Sequence, residues 1–337
     1  MRAFACGTCG QLVFFQNTAC LNCGSELGFK WPERELLTNP EGLHHCANHE
    51  LASCNWLVEN EGDLCFACRL TRTRPRDGDG PGLAAFAEAE NAKRWLVFEL
   101  GELGLPLPSH RSEPGGLAFD FLSSEHAHVV TGHADGVITL DLAESDDARR
   151  TARREQLGEP YRTVLGHLRH EVGHFYFPRL VRGDDLERAR ELFGDERTDY
   201  EQALERHYES GPPADWQERY VSAYATMHPS EDWAETFAHY LHIRDAMQTA
   251  AAYRVRVLGP ENAPPPHLLA ELSCGPSTEE RSFEQLLGSW LPLTYALNAL
   301  TRSMGRNDLY PFVLSPPVIE KLGFVHEVVG KANGRVS

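Results

Sequence analysis

The sequence predicts an α+β chain in two parts: a small cysteine-rich segment held by metal, then a larger, mainly helical part with a small β-sheet. Three observations predict it. Eight of the nine cysteines fall within the first 68 residues. Two histidine- and carboxylate-bearing stretches further on have helical periodicity, and a short β-rich block precedes them. At 337 residues the chain is long for one average domain and short for three.

Charge narrows the class. Lysine and arginine total 32 against 49 aspartates and glutamates, a net −17, which excludes a nucleic-acid or anionic-membrane surface over the whole chain. No apolar run approaches the roughly 20 residues of a membrane span, and "MRAFACGTCG" lacks the apolar core of a secretion signal. A cytoplasmic setting is expected, where paired cysteines mean metal ligation rather than disulfides.

The first segment justifies its metal. "CGTCG" and "CLNCG" set Cys6, Cys9, Cys20 and Cys23 as two C-x2-C pairs, each followed by a glycine that lets the backbone turn beneath a tetrahedral zinc. Cys46, Cys54, Cys65 and Cys68 make a second quartet in which only the last two are closely spaced, so His45 or His49 stands open as a replacement for one thiolate. Zinc here is structural, and in so small a segment it supplies much of the folding energy. Through Arg76 the segment has seven basic and eight acidic residues. That lacks a basic face, so a protein partner or substrate is expected rather than nucleic acid. "PRDGDGPG" has linker composition, which places the ribbon at 1–76, a linker at 77–82 and the second part at 83–337. Cys274 stands apart as a buried or surface thiol.

Next, "GLAAFAEAENAKRWLVFELGELG" predicts a helix over 83–103, ended by Gly104 and Pro106. "LAFDFLS" alternates as a half-buried strand, and "HVVTGHADGVITLDLAE" gives two more around the Asp135-Gly136 turn. His126, His128 and His133 read as surface or internally satisfied residues.

"YRTVLGHLRHEVGHFYFP" predicts a helix over 159–177 that stops before Pro178. Val164, Leu165, Leu168, Val172 and Phe175 form its core stripe. His170, Glu171 and His174 make H-E-x-x-H: two histidines one turn apart share a metal, with a carboxylate beside it. A catalytic zinc needs a third protein ligand. "HPSEDWAETFAHYLHI" predicts a helix from about Pro229 with Trp233, Phe237, Tyr240 and Leu241 on its apolar face. Glu231 and Glu235 lie one turn apart on the other face. Glu231 is assigned as the third ligand and Glu235 as its support, accepting a hydrogen bond from a ligand histidine; the reverse assignment has the same periodicity. Asp232 points elsewhere. The charged segment between the motifs predicts helices forming a lid or rim, and the residues after "ENAPPPHLL" resume a helical pattern that completes the core.

"HEVGH" followed by "EDWAE" resembles the gluzincin pair of motifs. With "CGTCG", "CLNCG", "CNWL" and "CFACRLTR", most of the chain resembles a bacterial family of zinc-binding metallopeptidases carrying an N-terminal zinc ribbon. The resemblance implies a zincin-like fold, a catalytic zinc besides one or two structural ones, and a peptide substrate. It also implies that the sheet edge can pair with an extended substrate. Glu171 is then a general base toward metal-activated water and later an acid toward the leaving amine. Tyr224, seven residues before Glu231, is by resemblance the donor to the developing oxyanion, with Tyr220 and His228 as alternatives. Two other readings compete: a zinc-ribbon interaction protein on an inactive peptidase scaffold, and a hydrolase of non-peptide amides. A scaffold has no use for the base Glu171; the amide reading stays open.

Overall fold

The computed structural model describes residues 2–123, 129, 131–145, 163–258 and 282–334. His126, His128, Cys274 and "ENAPPPHLL" lie outside them. About half the chain is helical and the strands form small sheets, so the fold is α+β. None of the described helices is long and apolar enough to cross a membrane. Cα proximity divides the chain into two units, Arg2–Gln156 with Arg162–Phe175, and Leu157–Tyr161 with Tyr176–Ser337.

The first unit opens with three antiparallel hairpins: β1 (Phe4–Ala5) with β2 (Leu12–Val13), β3 (Leu27–Lys30) with β4 (Glu35–Thr38), and β5 (His44–His45) with β6 (Leu57–Val58). Short helices α1 (His49–Ala52), between Cys46 and Cys54, and α2 (Phe66–Arg69), which carries Cys68, lie within the second cysteine quartet. β7 (Thr71–Thr73) then leaves the ribbon and joins a four-stranded sheet of order β7-β8-β10-β9, with β8 at Ala118–Leu122, β9 at Gly132–Ala134 and β10 at Val137–Asp141. β8 pairs in parallel with both β7 and β10, while β9 and β10 form the antiparallel hairpin. Asp135 and Gly136 turn that hairpin at φ 50° and 86°, the left-handed pair that its two-residue loop requires.

Two expectations change here. β8 is buried on both faces rather than one, because a central parallel strand has no solvent face; its Asp120 is held by Arg72 of β7, Nε to Oδ1 at 3.0 Å. The ribbon also has a larger apolar core than its length suggests. Phe15, Phe29 and Trp56 are each at most 1% exposed and pack edge-on or tilted at ring separations of 4.8–6.4 Å. Trp95 and Phe98 of helix α3 (Gly80–Glu102) complete that cluster against Phe15. Helix α3 begins three residues before the periodicity predicts, because the Asp79 carboxylate caps it by accepting the Gly82 N–H at 2.8 Å.

Helix α4 spans Val164–Leu180, with Pro178 inside its last turn rather than after it. Proline's φ is already helical, and so near the end its missing N–H forfeits only one hydrogen bond. Of the predicted stripe, Leu168, Val172 and Phe175 are fully buried while Val164 and Leu165, in the first turn, are half-buried, and the division between the two units falls after Phe175.

In the second unit the charged segment forms α5 (Asp184–Phe193) and α6 (Tyr200–Ser210), followed by α7 (Pro229–Ala252), α8 (Phe283–Ser303) and α9 (Pro316–Ala332). Trp233, Phe237 and Leu241 of α7 are at most 1% exposed. Near the end of α4, Tyr176 stacks on Phe237 at 5.7 Å and Phe177 packs edge-on to Trp233 at 5.2 Å. α9 closes the other side of α7: Phe324 packs on Trp233, and Lys321 reaches the buried Asp232 carboxylate at 2.5 Å.

Candidate metal centre

The cysteine spacing folds into two tetrahedral cages. In the first, Gly10 and Gly24 adopt φ of 73° and 75°, and each N–H returns to the carbonyl of the cysteine that opens its pair, Cys6 and Cys20, at 2.8 Å. This tight turn brings Cys6 Sγ within 3.6 Å of Cys23 Sγ and Cys9 Sγ within 3.7 Å of Cys20 Sγ. In the second, Cys54 Sγ lies 3.8 Å from both Cys65 and Cys68. Four sulfurs about 2.3 Å from a tetrahedral zinc stand about 3.8 Å apart, whereas a disulfide would hold them at about 2 Å. All eight thiols are free, and each quartet converges tightly enough to hold one ion. Zinc therefore fits both cages by donor chemistry and spacing.

The second cage is made of four cysteines. Its thiols are fully buried, and Cys46 Sγ accepts the Cys65 N–H at 3.2 Å, which favours the thiolate. His45 and His49 are occupied elsewhere: His49 Nδ1 bonds the Cys54 carbonyl at 3.0 Å, and His45 Nε2 contacts Glu26. Below this cage lies a charged pair the sequence reading passed over. Lys93 and Glu90 of α3 are wholly buried with Nζ and Oε1 2.5 Å apart, and Glu90 Oε2 accepts from Cys68 Sγ at 3.3 Å. Burial pushes the Glu90 carboxyl up to about 7, with Lys93 opposing.

On α4 the helical repeat brings His170 and His174 together, with Nε2 atoms 3.1 Å apart. Two nitrogens about 2.05 Å from a tetrahedral zinc stand about 3.3 Å apart, so this separation fits paired ligands. Glu171 is buried at 4% exposure, and among the described residues its Oε2 has no hydrogen-bond partner. Its other oxygen lies 3.2 Å from His167 Nε2. His167 was not singled out from sequence, although its position one turn before Glu171 was a signal. Arg169, on the side facing α3, forms a buried ion pair with Glu99 at 2.9 Å.

On α7 Glu231 occupies the first turn and is 2% exposed; its Oε1 accepts from the Tyr200 hydroxyl at 3.2 Å. Glu235, one turn on, is half-buried. Asp232 points away to Lys321; burial raises its carboxyl to about 7, with Lys321 opposing. The tyrosine alternatives separate. Tyr224 is half-buried, its ring edge-on to His207 at 6.1 Å, whereas the Tyr220 ring lies under Lys321, with Nζ 4.5 Å from its centre. His228 is the N-cap of α7 and has both ring nitrogens engaged, Nδ1 with Ser230 and Nε2 with Thr198.

Two cysteine cages and a helix of paired histidines define a zinc-binding α+β protein. The chain belongs to the family described as "Putative zinc-binding metallo-peptidase", whose model matches residues 82–328, and a zinc-ribbon domain model matches residues 3–79. Its relatives include an uncharacterized protein of Mycobacterium bovis and two of Mycobacterium tuberculosis. Each is 53% identical over 336 residues, covering 98% of this chain and 95% of the relative. No solved structure matches the chain.

Proposed function

We propose that this protein is a zinc metallopeptidase in which His170, His174 and Glu231 hold the catalytic ion, Glu235 supports a ligand histidine and Glu171 is the general base. The two cysteine quartets are assigned as structural zinc sites. Residues 1–76 are then the ribbon, a module for substrate or a protein partner, and 83–337 the gluzincin-like peptidase part.

The observation that carries this reading is Glu171 Oε2, a buried carboxylate oxygen without a hydrogen-bond partner among the described residues, next in sequence to a histidine whose Nε2 is 3.1 Å from a second one. Leaving such an oxygen unpaired costs about 1–3 kcal/mol, a cost that a purely structural carboxylate has no reason to carry. The donor chemistry adds support, since two imidazole nitrogens and a carboxylate oxygen are a ligand set that a catalytic zinc takes. Zinc, when bound, supplies a Lewis acid and lowers the pKa of a coordinated water. Glu171 takes the proton of the attacking water and returns it to the leaving amine. Tyr224 donates to the developing oxyanion.

The test is zinc content per chain for the wild type, Glu231→Gln and Glu235→Gln, alongside cleavage of an unstructured protein. Three zincs in the wild type, with one lost together with cleavage in Glu231→Gln, is the expected result. Two zincs in every form and no cleavage overturn the proposal.

A further inference from the structure

We propose that Tyr200 is a positioning residue for Glu231: its hydroxyl occupies Oε1 of the carboxylate and so commits Oε2 to the metal as a single-oxygen ligand. The inference rests on the zinc-peptidase reading, because it takes Glu231 as a ligand.

Tyr200 does not reach Glu231 by chance of rotamer. It opens α6, whose N-cap Asp199 accepts the Gln202 N–H at 3.0 Å and fixes the helix start. One residue earlier, Thr198 is bound to the cap of α7, with its carbonyl 3.0 Å and its hydroxyl 2.9 Å from His228 Nε2. The Ser230 N–H donates to His228 Nδ1 at 3.1 Å, which leaves the ring proton on Nε2, directed at the Thr198 carbonyl. His228 thus caps the helix that carries Glu231 and ties down the loop that carries Tyr200. The Tyr200 ring also rests on the His228 ring at 5.2 Å. An ionised carboxylate only accepts, so the 3.2 Å contact has Tyr200 as donor.

The consequence concerns geometry more than stability. A carboxylate with both oxygens open can chelate, which fills the coordination position that water needs. A phenol on Oε1 blocks chelation and holds the other oxygen in one direction. Partners of this kind behind metal ligands are worth about 10–100-fold in metal affinity or activity. Tyr200 is 41% exposed, so removing its hydroxyl leaves the packing of the chain intact.

The experiment uses the full chain and Tyr200→Phe, which keeps the ring on His228 and removes only the donor. Zinc affinity of the third site is measured by competition with a chelator, and the Co2+-substituted site is read by its visible spectrum, which distinguishes four from five ligand atoms. The expected result is a third zinc at least about 10-fold weaker, a cobalt spectrum moved toward higher coordination, and unchanged cysteine sites. A third-site affinity within twofold of wild type, with the same spectrum, overturns the role of Tyr200 alone if Glu231→Gln still loses that zinc. A wild-type chain that takes only two zincs overturns this inference and the peptidase reading together.

Discussion

Replacing Lys93 by methionine isolates the electrostatic support under the second cysteine cage. Methionine keeps most of the lysine chain's length and its cover over Phe119 and Phe121, whose ring centres lie 5.6 and 5.5 Å from Nζ. What is lost is the positive charge 2.5 Å from a wholly buried carboxylate. Even with Lys93 present, burial raises Glu90 from an ordinary 4.5 to about 7, so without it Glu90 folds only as the neutral acid. At roughly 1.36 kcal/mol per pH unit above the wild-type value of about 7, keeping that acid protonated costs the variant about 3 kcal/mol more than the wild type at pH 9 and under about 1 kcal/mol more at pH 7. The pH dependence follows. The wild type gains the ionised, paired form as pH rises through its folded-state value and the variant does not, so the penalty grows above pH 7 and vanishes near pH 5. Urea denaturation of wild type and Lys93→Met side by side, at pH 9 and pH 5, measures the difference while pH effects on the zinc sites cancel. The double variant with Glu90→Gln should recover most of the loss, because no carboxyl then has to be held protonated. A Lys93→Met penalty below 1 kcal/mol at pH 9, or one that does not shrink at pH 5, would refute this reasoning.

Three further outcomes are expected. Glu171→Gln should keep three zincs per chain but lower kcat by about 10²–10⁴-fold, since it removes the base and none of the ligands; metal analysis with a cleavage assay checks both halves. Gly101→Ala should cost about 1–3 kcal/mol by denaturant midpoint, because the new methyl collides with the Trp31 ring, which is stacked between Trp56 and Phe66 and cannot yield. Acid should weaken the second unit through His239, whose imidazole is pushed down to about 4 by burial, with Glu235 opposing. The unfolded chain binds that proton first, so stability falls between about pH 6.5 and pH 4 by up to about 3 kcal/mol, and comparison with His239→Gln reveals that portion.

The sequence by itself determined whatever depends on spacing within a turn or two. The C-x2-C-G repeats specified the first cage, since glycine at positive φ and two thiols three residues apart are enough to build a knuckle. The 3.6-residue period put His170 with His174 and buried Leu168, Val172 and Phe175 on another side of the same helix. Asp135-Gly136 announced the β9–β10 hairpin because only a few residues accept two positive φ values in succession. Tertiary structure decided what depends on partners far along the chain. Thr71–Thr73, counted with the ribbon by composition, becomes the edge of the sheet by pairing with a strand 48 positions later in the chain, Thr71 against Phe119. Asp120 looked like the polar face of a half-buried strand and is instead an internal ion pair. Lys93 and Glu90 carried no signal of their own in the sequence, and Tyr200 was one more residue of a charged segment, until folding set the pair beneath Cys68 and the tyrosine against Glu231. Local periodicity has a range of one or two turns, whereas burial and hydrogen-bond partnership are set by which surfaces meet. The donors of each proposed metal site are therefore legible in the chain, and the groups that orient and charge-balance those donors are not.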